Sequence, residues 1–323
     1  MASFLAIHNF EFAAARRWQD WARRYHEQTV GPFSAVYGHC MAGVAAYEVL
    51  DVGEAENIFH TALALARQTG MHSHAARLAG ALLGSVLYDK GAIDGAEELL
   101  DRSNELGPEG GVVDIMLATY GVGSRIKVLR GDRDSATIRL EEGARIAEKL
   151  HLPPLAKRIV NERIRAGLPI DPSLEARLKD AGPREEMENG IAEVSSQFDE
   201  DSTIMLLLAD RSDASIEAAL ARGRALVESV RKQKRPRALM VSTLLLVHCL
   251  ASAGRMDEAK RTLAPVASQC AVLGLPRLLL DGGAEIPHVL SQLLEDVRSG
   301  DRWLRRWPDV TASFLTDAMG RDV

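Results

Sequence analysis

The chain is poor in aromatic residues, which make up 5% of it. Its core volume must therefore come from Leu, Ala, Val and Ile. A chain rich in Ala, Leu, Arg and Glu favours helix, because those residues lose least conformational freedom there. Cysteine is scarce too. Cys40, Cys249 and Cys270 lie far apart with no Cys-x-x-Cys pair, which excludes a disulfide-stapled scaffold and a zinc ribbon and fits a reducing, cytoplasmic setting. Residues 1–12 lack the basic start of a secretory leader, and His8 and Asn9 interrupt their apolar run. The most apolar stretch, 239–253, contains Ser242, Thr243 and His248. It is too short and too polar to span a bilayer and reads as a buried helix, so no membrane partner is expected. Positive charge is not in excess: the net charge is -6 and the pI about 5.9, so direct nucleic-acid contact by this chain is not expected. A G-x-x-x-x-G-K-[ST] loop is missing, which excludes a P-loop.

What is present is enough chain for a substantial core, 323 residues with 46% hydrophobic and 26% charged. It also repeats itself. Segments 43–63, 84–100, 124–140 and 247–263 share an Ala opening a second helix and a bulky residue four positions later: Ala55/Phe59, Ala96/Leu100, Ala136/Leu140 and Ala259/Leu263. The Ala positions are spaced by 41, 40 and 123 residues, so the period is close to 40. A small residue stands twelve positions before the first three of them, at Gly43, Gly84 and Ser124; Val247 takes that place in the fourth. Small residues there let two helices approach, and the bulky residue one turn later fills the gap to the next pair. Turn signals separate the helices at Asp51-Val52-Gly53, Lys90-Gly91, Arg130-Gly131-Asp132 and Ala253-Gly254-Arg255.

The expected fold is all-α, an α-solenoid of tetratricopeptide-like hairpins with a period of about 40 residues, forming a right-handed superhelix. Pro169 and Pro172 break the helical pattern, and residues 180–203 are polar and acidic. The expected organisation is an N-terminal repeat lobe over 1–167, an irregular acidic linker over 168–202, and a C-terminal repeat lobe over 203–323 ending in a capping helix. Regular helix is expected to resume at Ile204.

The second half carries a family likeness. The run 244–259 ends in Gly254-Arg255-Met256-Asp257-Glu258-Ala259, and an apolar run ending in Asp281-Gly282-Gly283 follows. This resembles the helical-repeat region of the large ATP-dependent LuxR-type transcription regulators, of the maltose-regulon activator type. The resemblance implies a sensor and self-association module, and therefore either a region of a larger regulator or a stand-alone relative. It implies a small inducer or a partner protein as ligand, and a possible homo-oligomer. A DNA-binding domain is expected elsewhere in a full-length regulator.

In the tetratricopeptide frame the first helix of each hairpin lines a concave groove. That places Tyr37, Cys40, Tyr47 and Glu48 of the first hairpin there, Ser85, Tyr88 and Asp89 of the second, and Arg125 of the third. Tyr47-Glu48 and Tyr88-Asp89 repeat an aromatic followed by an acid, which suits a sugar-like or cationic ligand. The alternative is that these tyrosines pack between hairpins. Near the C-terminus Trp303, Arg305, Arg306 and Trp307 form an aromatic and basic patch. It either caps the last hairpin or docks a neighbouring domain, with the two tryptophans sharing a helix face.

Other constellations read as structural. His72-x-His74 has no zinc-spaced partner, and His26-Glu27 lacks the second His of a zinc-protease helix. His248 and Cys249 are helix neighbours that do not face each other. Residues 231–237 carry five positive charges but read as a solvated turn. Residues 107–111 read as a flexible connector without the strand or Lys of a phosphate loop. Neither cofactor nor metal is expected, and the protein is expected to bind rather than catalyse. The alternative function is a stand-alone tetratricopeptide-type interaction scaffold.

Overall fold

Turn chemistry sets where the helices stop. Gly91, Gly131 and Gly254 take φ values of 79°, 77° and 70°, a left-handed conformation that glycine adopts without a Cβ penalty. Helix starts are capped by short polar side chains. Asp132 accepts from the Ser135 N–H at 3.0 Å, and Ser212 accepts from the Ser215 N–H at 3.2 Å. The first turn departs from expectation. Gly53 lies inside a helix, and Leu50 takes the left-handed conformation at φ 66°. The backbone bonds from Leu50 to Tyr47 and from Asp51 to Ala46 close that helix end in spite of the side chain.

The computed structural model describes residues 2–29, 32–68, 73–105, 107, 113–184 and 187–320. Every regular element among them is helical, and the fold is all-α, consistent with an α-solenoid. In chain order the helices are α1 (Ala2–His8), α2 (Phe12–Thr29), α3 (Pro32–Glu48), α4 (Val52–Gln68), α5 (His74–Asp89), α6 (Ile93–Glu105) and α7 (Val113–Met116). A π-helical turn, Leu117–Val122, joins α7 to α8 (Gly123–Leu129). Next come α9 (Arg133–Lys149), α10 (Pro153–Arg165), α11 (Pro172–Lys179), α12 (Gly190–Asp210), α13 (Asp213–Lys232), α14 (Pro236–Ser252) and α15 (Met256–Leu273). The chain continues through α16 (Pro276–Leu280), α17 (Ile286–Ser299), a 3₁₀ helix (Arg302–Arg306) and α18 (Ala312–Gly320).

Two units divide the chain. The first comprises Met1–Tyr88, Ala92–Leu168 and Glu186–Phe198, the second Asp89–Gly91, Pro169–Glu185 and Asp199–Val323. In the first, α1 packs on α2 and α3, α3 pairs with α4, and α9 packs on α8 and α10. The repeat residues mediate these contacts. A Cβ added to Gly43 would collide with the Phe59 ring, and one on Gly84 would stand 2.9 Å from Leu100. Glycine therefore sets how closely α3 approaches α4 and α5 approaches α6. Further along, Tyr120, Leu140, Leu155 and Ile159 form a buried core. In the second unit α14 packs between α13 and α15. Its apolar side chains, from Leu244 to Leu250, are buried as the hydrophobic run suggests.

Three local expectations are corrected. Residues 168–202 are not simply irregular: they hold α11 and the first half of α12, which begins at Gly190 rather than Ile204. Pro172 starts α11 at the position where a missing N–H costs nothing, behind Asp171, which accepts from the Ser173 and Leu174 N–H groups. The start of α12 has no apolar stripe to announce it, because its buried face is polar: Glu193, Ser195 and Gln197 are all buried. The third hairpin contains the π-helical turn, whose extra residue rotates the faces that follow it. Finally, Trp303 lies in a 3₁₀ helix that ends before Trp307. At three residues per turn, positions four apart do not share a face.

Candidate functional site

The residues expected on a concave face do not form an open groove. Cys40 is fully buried, Tyr47 is 7% exposed and Tyr88 1% exposed. The first helices of these hairpins are covered on more than one side, so their tyrosines pack inward. Burial also pushes the Cys40 thiol well above its ordinary value, leaving it a protonated core residue. Asp89 is buried and accepts from Arg237 at 3.0 Å, and it groups with the second unit. Arg125 makes a two-pronged contact with Glu162, both bonds at 2.7 Å. Burial raises the Glu162 carboxyl, but Arg125 and Arg158 outweigh it and hold it below the ordinary glutamate value. Ser85 and Glu48 are half-buried on α5 and α3. Of the expected set, Tyr37 alone lines the groove described next.

That groove lies at the α1–α3 end of the first unit and encloses about 400 Å³, within the range of small-molecule sites. Its walls are Phe4 of α1, Trp18 and Trp21 of α2, and Phe33 and Tyr37 of α3. Helical spacing aligns them: Trp18 and Trp21 are three apart and Phe33 and Tyr37 four apart, so each pair shares a face. The two indoles stand 6.3 Å apart at 89° and form a corner. Trp18, Trp21 and Phe33 remain 47%, 59% and 51% exposed. Ser3, Gln19 and Ser34 add the polar contacts, with Gln19 Nε2 donating to Ser3 Oγ at 2.6 Å. No charged side chain lines the groove among the described residues. The repeat pattern begins at Gly43 and does not reach this site. The available signal was composition, since half of the chain's aromatic residues fall within its first 37 positions.

A pair of titratable groups lies beside the groove. His8 is in edge contact with Phe4, the ring centroids 4.2 Å apart. Its Nε2 is 3.9 Å from Asp114 Oδ2 of α7, and both atoms are buried without a hydrogen-bond partner among the described residues. Burial raises the Asp114 carboxyl above its ordinary value; His8 opposes the shift and Glu48 adds to it. Burial, then the Asp114 charge, raise the Tyr37 phenol. Tyr37 thus links the groove wall to a carboxylate whose Oδ2 has no hydrogen-bond partner among the described residues.

The remaining candidates have structural settings. The basic run is the turn between α13 and α14, with Arg231 paired to Glu228 at 2.8 Å. His248 Nδ1 accepts from the Glu285 N–H at 3.3 Å, and the thiol of Cys249 donates to the Ala219 carbonyl at 3.7 Å. Gly283, at φ 139°, lies so close to the His248 ring that an added Cβ would stand 2.5 Å from it. This is why the apolar run ends in glycines: Leu278, Leu279 and Leu280 are buried and the chain then turns tightly past His248. Trp303 is half-buried beneath Arg261, whose guanidinium lies 5.2 Å from the ring centroid, while Arg305 and Arg306 are exposed and Trp307 is half-buried. His72 and the connector residues 108–111 lie outside the described residues. Among those described, no helix is long and apolar enough to cross a membrane.

No protein-family profile matches the chain. It is similar to the serine/threonine-protein kinase PknK of Mycobacterium tuberculosis strain H37Rv and to PknK of Mycobacterium bovis. Each is 44% identical over 283 residues, a match covering 87% of this chain and 25% of the relative. The chain therefore spans about a quarter of the length of these relatives. They overturn the expectation that the protein binds rather than catalyses, because the relatives are named as kinases.

Proposed function

We propose that the chain is the signal-receiving helical region of a regulator that couples serine/threonine-kinase signalling to LuxR-type transcription control. The observation that carries this reading is the 44% identity to a quarter of a serine/threonine-protein kinase. A helical module within a signalling protein is suited to receiving an inducer or a partner and altering the rest of the chain. The Gly254–Ala259 and Asp281–Gly283 motifs support the LuxR-type part of the reading, and the α1–α3 groove supplies a surface for reception. Self-association is part of the same proposal.

A thermal-shift screen of the chain against sugars, nucleosides, amino acids, aromatic acids and organic amines tests it. A ligand confined to the folded state stabilises by about 2.7 kcal/mol at a hundredfold excess over Kd. A saturable shift that is lost on Trp18→Leu supports reception at the groove. If nothing shifts the chain, and deleting the matching quarter of the kinase relative leaves its phosphotransfer rate and its partners unchanged, the reading is wrong. The scaffold alternative predicts no small ligand but a peptide complex of the isolated chain, detectable by size-exclusion chromatography.

A further inference from the structure

We propose that the α1–α3 groove is a site for a small organic cation carrying a methylated or otherwise apolar ammonium group. The proposal rests on the signal-receiving reading and assigns its ligand class. A chain this poor in aromatic residues places five of them around one cavity, and three stay about half exposed to water. Core packing does not explain that placement, because packing would cover the rings.

The geometry favours a cation over a neutral apolar molecule. Aromatic faces carry partial negative charge, and a cation within about 6 Å of a ring centroid is attracted to them. Two indoles at 89° offer such a ligand a corner, with Phe33 and Tyr37 on the facing helix. Among the described residues lining the groove, none carries positive charge. Arg16, on the same helix as the indoles, is held 3.5 Å from Asp51. Behind Tyr37 lies the Asp114 carboxylate, its Oδ2 buried and without a hydrogen-bond partner among the described residues, and Glu48 is close enough to add to its negative potential. The polar edge formed by Ser3, Gln19 and Ser34 would accept a hydroxyl or amide tail on the ligand.

The test uses choline and its neutral isostere 3,3-dimethyl-1-butanol, which share shape and hydroxyl and differ in charge. Calorimetric titration of the chain should show saturable choline binding at least about tenfold tighter than the isostere, the order that cation–π attraction supplies. Trp18→Leu keeps apolar bulk at an exposed position and should abolish choline binding without changing the melting temperature. Trp303→Leu, remote from the groove in sequence and absent from its lining, should leave binding intact. Equal affinity for the isostere, choline binding that survives Trp18→Leu, or no saturable binding would each overturn the proposal. A neutral ligand found in the thermal-shift screen and lost on Trp18→Leu would overturn the cation assignment while leaving the signal-receiving reading in place.

Discussion

The α1–α3 end of the first unit and its α8–α10 interior each hold a carboxylate, and they treat it oppositely. Glu162 in the interior is 2% exposed and is met by Arg125 and Arg158 at 2.7 Å each. Asp114 at the groove end faces His8 at 3.9 Å, beyond hydrogen-bond reach, and its Oδ2 has no hydrogen-bond partner among the described residues. The interior carboxyl is held ionised and the groove-end carboxyl is pushed towards its neutral form. A satisfied buried ion pair fixes how helices pack. A buried carboxylate oxygen without a partner among the described residues is costly to keep, which supports the proposal that a ligand binds at that end.

The largest test of this contrast is Glu162→Gln. Removing the carboxylate of a buried ion pair takes a 2.7 Å partner from both guanidinium groups, and the expected loss is about 3–5 kcal/mol at pH 7, read by urea unfolding. The folded carboxyl is lower than the unfolded one, so its stabilisation is present above the ordinary glutamate value and fades as pH falls through the folded value. The variant and the parent should therefore converge in acid. Gly43→Val comes next, since the added atoms collide with the buried Phe59 ring; a loss of about 1–3 kcal/mol is expected.

Asp114→Asn should act with the opposite sign to Glu162→Gln. A raised folded value favours the protonated form below the ordinary aspartate value, and that advantage is lost as pH rises through the folded value. Asparagine mimics the neutral group, so a gain of about 0.5–1 kcal/mol is expected at pH 7, vanishing in acid. A loss at pH 7 would show that Asp114 is a structural partner after all. The smallest expected effect is that of Trp18→Leu on the ligand-free chain, within about 0.5 kcal/mol, because the indole is half exposed.

Part of this architecture was legible in the residues and part was not. The Ala and bulky pairs, the glycine turns and the small residues at Gly43 and Gly84 follow from spacing, because close helix packing permits few side chains. Which face of α3 and α5 stays open did not follow. Tyr47 and Tyr88 fit a concave stripe by register, yet neighbouring helices cover them. The π-helical turn at Leu117–Val122 leaves no mark in a pattern read at a fixed helical period. The start of α12 was hidden because its buried residues Glu193, Ser195 and Gln197 are polar. The groove escaped because Trp18 and Trp21 precede the first repeat.

The most direct measurement isolates the tryptophans at the groove. The chain's four are Trp18, Trp21, Trp303 and Trp307, so a Trp303→Phe/Trp307→Phe variant leaves only the groove pair to report. Titrating that variant with choline, or with any ligand that shifts the melting temperature, should change its indole emission along the same saturation curve as the thermal shift. A ligand that stabilises the chain while leaving this emission unchanged would place reception elsewhere and contradict the account.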